Sequence, residues 1–115
     1  MVNIKKLYAA FYETATGKQP VRDRLKALDK EARQIVGEDI ATVEFGWPIG
    51  MPVCRPLAGG LWEIRSDLPG NRMARVIFAI VDERMVLLHG FIKKTQKTPA
   101  PDLALARKRL KELQA

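Results

Sequence analysis

Three consecutive β-like segments with very short connections constrain the fold of this chain more than any other feature. They are Leu61–Asp67, the nearly continuous apolar run Arg72–Val81, and Arg84–Lys93. The Pro, Gly and Asn of Leu68–Asn71 are typical of a turn, and only Asp82–Glu83 separates the last two segments. Short connections join antiparallel neighbours, so we expect a meander with Arg72–Val81 in its centre.

Helical signals flank this meander. An aromatic-rich first strand over Lys5–Tyr12 precedes a helix that starts at Pro20 and ends at Gly37, and a shorter helix follows over Asp39–Phe45. After the meander, Thr98 is expected to cap a last helix. In that last helix Pro99 holds the first position, and the apolar stripe is Leu103, Ala106, Leu110 and Leu113.

The resulting order is β-α-α-β-β-β-α. It predicts a single small α+β domain over residues 1–115, with the N-terminal helices packed on one face of a mainly antiparallel sheet. The only cysteine, Cys54, excludes an internal disulfide, and we interpret it as a buried or half-buried bystander. No run is long enough for a membrane span and no secretory signal opens the chain, so we expect a cytoplasmic protein without membrane contact.

Positive charge is concentrated in the second part of the chain. The formal net charge is +7, of which residues 1–50 carry +1 (eight Lys/Arg, seven Asp/Glu) and residues 51–115 carry +6 (twelve and six). An excess confined to one half favours a directed interaction with an anionic partner. Charge alone does not separate RNA from DNA, an anionic membrane or an acidic protein.

Arginines interrupt two of the predicted strands. Arg65 shares a face with Leu61 and Glu63, and Arg75 emerges from an otherwise apolar strand. If the two strands pair, the guanidinium groups converge and can clamp one phosphate. The alternative is structural: Arg65 pairs with Glu63 or a cross-strand acid, and Arg75 forms a structural ion pair.

The third strand carries the only histidine and leads into a lysine cluster. His89 is either a packed residue with a satisfied ring or a general acid or base. Lys93, Lys94 and Lys97 are either a solvated strand end or contacts to backbone phosphate. In the second case one of them can act in proton transfer, since neighbouring cations favour the neutral form of a lysine.

Other residue patterns favour structural roles. The chain has no Gly-rich phosphate loop, no paired carboxylates and no metal-ligand spacing, so we expect neither metal nor cofactor.

The basic residues Arg107 and Lys108 of the last helix either contact RNA or a protein, or are simply solvated. The aromatic residues that we expect in the core, and not as base-stacking platforms, are Tyr8, Trp47, Trp62 and Phe78.

Three stretches together resemble the phage-derived, HigB-type branch of the RelE/ParE toxin superfamily. They are LWEIRSD from Leu61, RVIF from Arg75, and LHGFIKKTQKTP from Leu88. The resemblance covers nearly the whole chain, and the segment Phe91–Pro99 is its most specific part.

The resemblance implies a toxin of a type II toxin–antitoxin pair, neutralised by a HigA-like helix-turn-helix antitoxin. Many relatives are ribosome-dependent endoribonucleases that cut mRNA without a metal, by attack of the ribose 2′-hydroxyl on the adjacent phosphate. In that scheme Arg65 and Arg75 orient the phosphate and stabilise the transition state, while Lys93 and Lys94 hold the substrate and assist proton transfer. RNA contacts are then expected at Lys97, Arg72, Arg107 and Lys108.

The chain departs from the family pattern at Phe91, where several relatives carry a tyrosine or histidine as acid or base. Proton transfer then falls to His89 or a lysine, or contributes less than phosphate positioning. Because a fold does not fix an activity, two alternatives stay open: a ParE-like inhibitor of DNA gyrase, and a non-catalytic nucleic-acid-binding domain.

Overall fold

The computed structural model describes residues 4–93 and 97–115, and in these residues one sheet of five strands is covered by three helices. Along the chain the elements are β1 (Tyr8–Phe11), α1 (Pro20–Lys26), α2 (Lys30–Gly46), β2 (Cys54–Pro56), β3 (Leu61–Leu68), β4 (Arg72–Val81), β5 (Arg84–Lys93) and α3 (Ala100–Gln114). The strands lie side by side in the order β1-β5-β4-β3-β2. Within this described part, none of the helices has the length and apolar character needed to cross a bilayer.

The predicted antiparallel meander is confirmed. β4 is the central strand and pairs in antiparallel fashion with β3 on one side and β5 on the other. Asp82 and Glu83, which join β4 to β5, both have positive φ (51° and 65°), as a type I′ hairpin turn requires. β1 adds to the far side of β5 in parallel, at the edge of the sheet.

The sheet contains one strand that the sequence pattern did not predict, so the observed order is β-α-α-β-β-β-β-α. β2 is three residues long and forms the other edge by antiparallel pairing with Trp62–Ile64 of β3. A segment this short cannot display the alternation that identifies a strand. The prolines Pro52 and Pro56 also argue against a strand, although an edge position tolerates them.

Two N-terminal helices are present as predicted, but the predicted boundary between them was wrong. α1 ends at Lys26, and α2 continues without interruption through Gly37. The helix break lies at Asp29, whose side chain accepts a hydrogen bond from the backbone N–H of Ala32 at 3.2 Å. Apolar residues keep their helical spacing across this break, so periodicity alone conceals a boundary that the cap defines.

The two faces of the sheet carry separate cores. One face packs against α1 and α2, with a core that includes Val21, Val36, Val43, Ile64 and Phe78. The opposite face packs against α3 and is called the α3 face below. Its core includes Leu61, Ile77, Leu88, Ala106 and Leu110.

Polar contacts tie the C-terminal half of α3 to the sheet. Arg109 donates a hydrogen bond to the backbone carbonyl of Leu88 at 2.7 Å, and its guanidinium lies over the ring of Tyr12. The hydroxyl of Tyr12 donates to Glu112. Leu88 belongs to β5 and Tyr12 directly follows β1, so α3 is fixed along the β1–β5 half of the sheet.

The start of α3 differs from the prediction. The helix begins at Ala100, Pro99 occupies the N-cap position without a side-chain cap, and Pro101 lies in the first turn. Thr98, the predicted cap, lies one residue further out. Its hydroxyl instead forms hydrogen bonds with Glu63 and Arg75 of the sheet.

The predicted fate of the aromatic residues and of Cys54 is largely confirmed. Phe78 is buried, and Trp47 stacks edge-on against Trp62 at a centroid distance of 4.8 Å. Tyr8 was wrongly assigned to the core: it is 59% exposed, because β1 is an edge strand. Cys54 is buried, and burial raises the pKa of its thiol to about 11.

Candidate active site

Two arginines lie opposite each other on the α3 face. Arg65 of β3 and Arg75 of β4 are direct partners in the antiparallel register. Residues directly opposed in this way project from the same face, with Cβ atoms about 4.5–5.5 Å apart. The predicted convergence of these two residues across paired strands is therefore confirmed.

A buried carboxylate, that of Glu63, lies beside both guanidinium groups. Its Oε1 is 3.8 Å from Nη1 of Arg75 and 3.9 Å from Nε of Arg65. Because like charges on directly opposed strand residues repel, Glu63 supplies the counter-charge that the pair needs. The sequence indicated Glu63 only as a partner of Arg65; its contact with Arg75 depends on the register between β3 and β4.

Thr98 joins this network from the segment that leads into α3. Its hydroxyl donates to Oε2 of Glu63 at 2.6 Å and accepts from Nη1 of Arg75 at 3.4 Å. Sequence patterns predict only a helix-capping role for Thr98, and no local pattern indicates a residue that bonds back across the sheet. The network therefore connects β3, β4 and the start of α3.

The two arginines differ in their access to solvent. Arg75 and Glu63 are both 0% exposed, whereas the side chain of Arg65 retains 15% of its surface. Burial lowers the pKa of the Arg75 guanidinium; Glu63 opposes this shift, and the charges of Arg65 and Arg55 add to it. A guanidinium nevertheless stays protonated in proteins. An anion therefore reaches Arg65 first. Binding of one anion by both guanidinium groups requires that Arg75 becomes accessible.

Arg55 is a further cation on the same face that the sequence did not indicate. It lies directly opposite Glu63 in the β2–β3 pair, and its side chain is exposed. It was missed because β2 itself was not predicted. Its position at the sheet edge extends the positive charge outward from Arg65.

His89 has a carboxylate partner. Its Nε2 is 2.6 Å from Oδ1 of Asp102 in the first turn of α3, and its ring stacks on Phe91 with centroids 5.5 Å apart. His89 therefore has the satisfied ring of the structural interpretation, and a carboxylate on one nitrogen also orients an imidazole for proton transfer. One signal for Asp102 existed: it precedes Ala106 by four residues, so it continues the buried side of α3.

Of the three predicted lysines, Lys93 is the last residue of β5. Lys93 is half-buried and lies opposite Met73, two residues beyond Phe91, which itself faces Arg75. It therefore belongs to the α3 face, next to the arginine pair. Lys97 is exposed, and Lys94 lies outside the described residues.

The remaining predicted RNA contacts lie apart from this group. Arg72 donates to the carbonyl of Pro69 at 2.9 Å, and its Nη2 lies 3.6 Å from Oδ1 of Asp29 at the start of α2. Arg107 and Lys108 are exposed on α3. Arg72 pairs with Leu68 at the far end of β3, and the other two residues lie on a helix, so none of the three is a direct strand neighbour of Arg65 or Arg75.

The arrangement suits chemistry on a phosphate. Fixed guanidinium and ammonium groups stabilise negative charge that develops on a phosphoryl centre, and a carboxylate-bound imidazole transfers protons. Among residues 4–93 and 97–115, no three His, Cys, Asp or Glu side chains form a cluster able to hold a metal ion. That the chain works without metal or cofactor stays a prediction.

A protein-family model matches most of the chain. The model of the family described as "Phage derived protein Gp49-like (DUF891)" matches residues 23–111. The match begins in α1 and extends through most of α3, so it covers Arg65, Arg75, His89 and Lys93 together. Among curated proteins, none matches the chain in sequence.

Proposed function

The chain belongs to the Gp49-like family of phage-derived proteins, and on this premise we propose that it is the toxin of a type II toxin–antitoxin pair. The family is part of the RelE/HigB-like toxin superfamily. The proposed activity is ribosome-dependent cleavage of mRNA, without a metal, by a toxin of the HigB type. A ribosome-bound substrate places this activity in the cytoplasm.

One observation carries the proposal: Arg65 and Arg75 are direct cross-strand partners on one rigid face, with Lys93 beside them. Three cations at fixed positions in a sheet are costly to desolvate, and a phosphate is the partner that compensates them. Arg65 is the first contact because it borders the surface. Arg75 is buried and adds its positive charge from the interior of the pair.

The proposed reaction is an in-line displacement at phosphorus. The ribose 2′-oxygen attacks the adjacent phosphate and loses its proton to a base on the protein. The bond from phosphorus to the 5′-oxygen breaks, and an acid delivers a proton to that leaving oxygen. The products are a 2′,3′-cyclic phosphate and a free 5′-hydroxyl. Arg65 and Arg75 stabilise the charge on the pentacovalent phosphorus.

Proton transfer is assigned to His89 or to the lysines Lys93 and Lys94. The contact with Asp102 occupies Nε2 of His89, so Nδ1 is the ring nitrogen that would exchange a proton with the substrate. Phe91, which replaces the acid or base of several relatives, packs on that ring. It holds the imidazole in place and takes no part in proton transfer.

The proposed macromolecular partners are mRNA on the ribosome and a HigA-like antitoxin with a helix-turn-helix domain. Lys97, Arg72, Arg107 and Lys108 would contribute backbone contacts to RNA, which are governed mainly by charge. The exposed positions of Lys97, Arg107 and Lys108 support this assignment.

A second function is supported by the complete burial of Arg75. A guanidinium enclosed with Glu63 and Thr98 suits a structural ion pair as well as catalysis. In that case the basic surface serves binding alone, either in a ParE-like inhibitor of DNA gyrase or in a non-catalytic nucleic-acid-binding domain.

Primer extension on a reporter mRNA after brief induction of the chain in cells tests the proposal. We expect cuts inside translated codons, none in a matched message without a start codon, and protection when the neighbouring helix-turn-helix protein is co-expressed. Arg65→Ala should lower the cleavage rate by about 10²–10³-fold, because it removes a group that stabilises the transition state.

Two further variants separate chemistry from folding. Arg65→Lys keeps the charge but loses the planar fork, so its activity should fall between those of the wild type and Arg65→Ala. Arg84→Ala removes an exposed arginine at the opposite end of β5 and should cut like the wild type. An intact message in growth-arrested cells would remove the nuclease and favour gyrase as the target.

A further inference from the structure

A cleft adjoins Arg65 on the side away from the arginine pair. β2 pairs only with residues 62–64 of β3, so from Arg65 onward β3 forms the outer edge of the sheet. Along this edge, β3, the segment before β2 and the middle of α2 enclose an open cleft of about 490 Å³. The backbone N–H of Arg65 donates to the carbonyl of Val53 at 2.8 Å, which fixes one wall against the strand.

The walls of the cleft combine apolar and acidic side chains. Ile35, Val53 and Met73 are half-buried and supply apolar surface. Asp39 of α2 and Asp67 of β3 supply two carboxylates. Met73 lies directly opposite both Asp67 and Lys93, so the cleft borders the basic end of β5 as well as Arg65.

Two carboxylates beside a phosphate-binding arginine would repel a second phosphate. They instead accept hydrogen bonds from N–H groups, and in RNA such donors lie on the edges of unpaired bases. Guanine presents two adjacent donors, its ring N1–H and its exocyclic amine, which match the two oxygens of one carboxylate. Apolar walls complete the site because the faces of a base are themselves apolar.

From these contacts we propose that the cleft is a nucleobase subsite that takes an unpaired guanine next to the phosphate bound by Arg65. The inference rests on the proposed function, which it extends from cleavage to base preference. Arg65 lines the cleft and also contacts Glu63, so a single nucleotide can place its phosphate on Arg65 and its base between Asp39 and Asp67.

Calorimetric titration of the full chain with the four nucleoside 3′,5′-bisphosphates at low salt tests the subsite without a ribosome. Guanosine bisphosphate should bind at least about tenfold more tightly than the other three, as expected for one bidentate base contact. The double variant Asp39→Asn/Asp67→Asn should abolish this preference, and one of the two single variants should account for most of the loss, because one carboxylate accepts from both donors. Arg65→Ala should weaken all four nucleotides alike, because it removes the shared phosphate contact.

Asp82→Asn is the matched control, since it removes the same charge from an exposed turn about 30 Å along β4 from Met73. It should leave the preference unchanged. Equal binding of all four nucleotides to the wild type, or a guanine preference that survives the double Asn variant, would overturn the subsite.

The experiments distinguish an error in the proposed subsite from an error in the proposed nuclease activity. If the double Asn variant cuts mRNA with an unaltered base preference, the subsite is wrong and the nuclease stands. If guanosine bisphosphate binds selectively but mRNA stays intact, the subsite stands and the proposed function is wrong.

Discussion

Glu63 determines how two arginines can face each other on adjacent strands. It is fully buried and lies within 4 Å of both guanidinium groups, and it accepts a hydrogen bond from Thr98. A buried ion pair adds little over well-packed apolar residues, but removal of one partner leaves an uncompensated charge in the interior. The stability of this site therefore depends on a residue that need not contact any substrate.

We predict that Glu63→Gln lowers the free energy of unfolding by about 3–5 kcal/mol, the usual cost of breaking a buried pair from one side. The amide keeps the shape of the side chain but leaves Arg65 and Arg75 without their shared counter-charge. Urea denaturation followed by circular dichroism measures the change.

Glu83→Gln is the control for Glu63→Gln. It makes the same chemical change at an exposed turn and should alter stability by no more than about 0.5 kcal/mol. A loss of less than about 1 kcal/mol in Glu63→Gln would contradict the assignment of Glu63 as the required counter-charge.

Residue by residue, the site was predictable only where strand alternation defines it. Alternation assigned Arg65 and Arg75 to definite faces, and the pairing of adjacent strands brought them together. Thr98 was not predictable as a site residue, because it reaches the sheet from a separate segment. For Asp102 the only signal was its helical spacing from Ala106, which indicates the buried side of α3 but not a contact with His89. Arg75 shows a further limit: alternation predicted the direction of its side chain but not its complete burial.

At the scale of elements, the boundary between α1 and α2 is determined by an N-cap residue and not by a glycine. Gly37 lies inside α2 at an exposed position, and a Cβ added there would have no neighbouring atom within 4 Å. α2 starts at Lys30, directly after its N-cap residue Asp29, whose side chain accepts a hydrogen bond from the backbone N–H of Ala32 and contacts Arg72. β2 was not predictable, because an edge strand of three residues is too short to show the alternation of apolar and polar side chains that identifies a strand.

We predict that Gly37→Ala stabilises the protein by about 0.5–1 kcal/mol, because alanine loses less backbone entropy than glycine within a helix. The midpoint of urea denaturation should rise at an unchanged slope. Gly70→Ala is the contrasting variant: φ at Gly70 is +79°, so an added Cβ strains the turn and should destabilise. Destabilisation by Gly37→Ala would mean that α2 does not continue through this position.

At the scale of the whole molecule, the excess positive charge of the sequence lies in one part of the fold. Residues 51–115, which carry the net charge of +6, form β2 to β5 and α3, and they supply the arginine pair together with Glu63, Lys93 and Thr98. The nearly neutral first part supplies α1, α2 and β1, with the helices on the opposite face. The meander and the charge asymmetry were both predictable, because each depends on patterns that extend over many residues.

Above all, we propose that the arginine pair acts on a phosphate of ribosome-bound mRNA. The most direct test is incubation of the purified chain with ribosomes halted on a short labelled mRNA, followed by analysis of the fragment ends. We predict a 5′ fragment that ends in a 2′,3′-cyclic phosphate and a 3′ fragment with a free 5′-hydroxyl. Arg65→Ala should slow the cut by about 10²–10³-fold, and Arg84→Ala should not slow it. An intact message, or fragments with a 3′-hydroxyl and a 5′-phosphate, would contradict the claim.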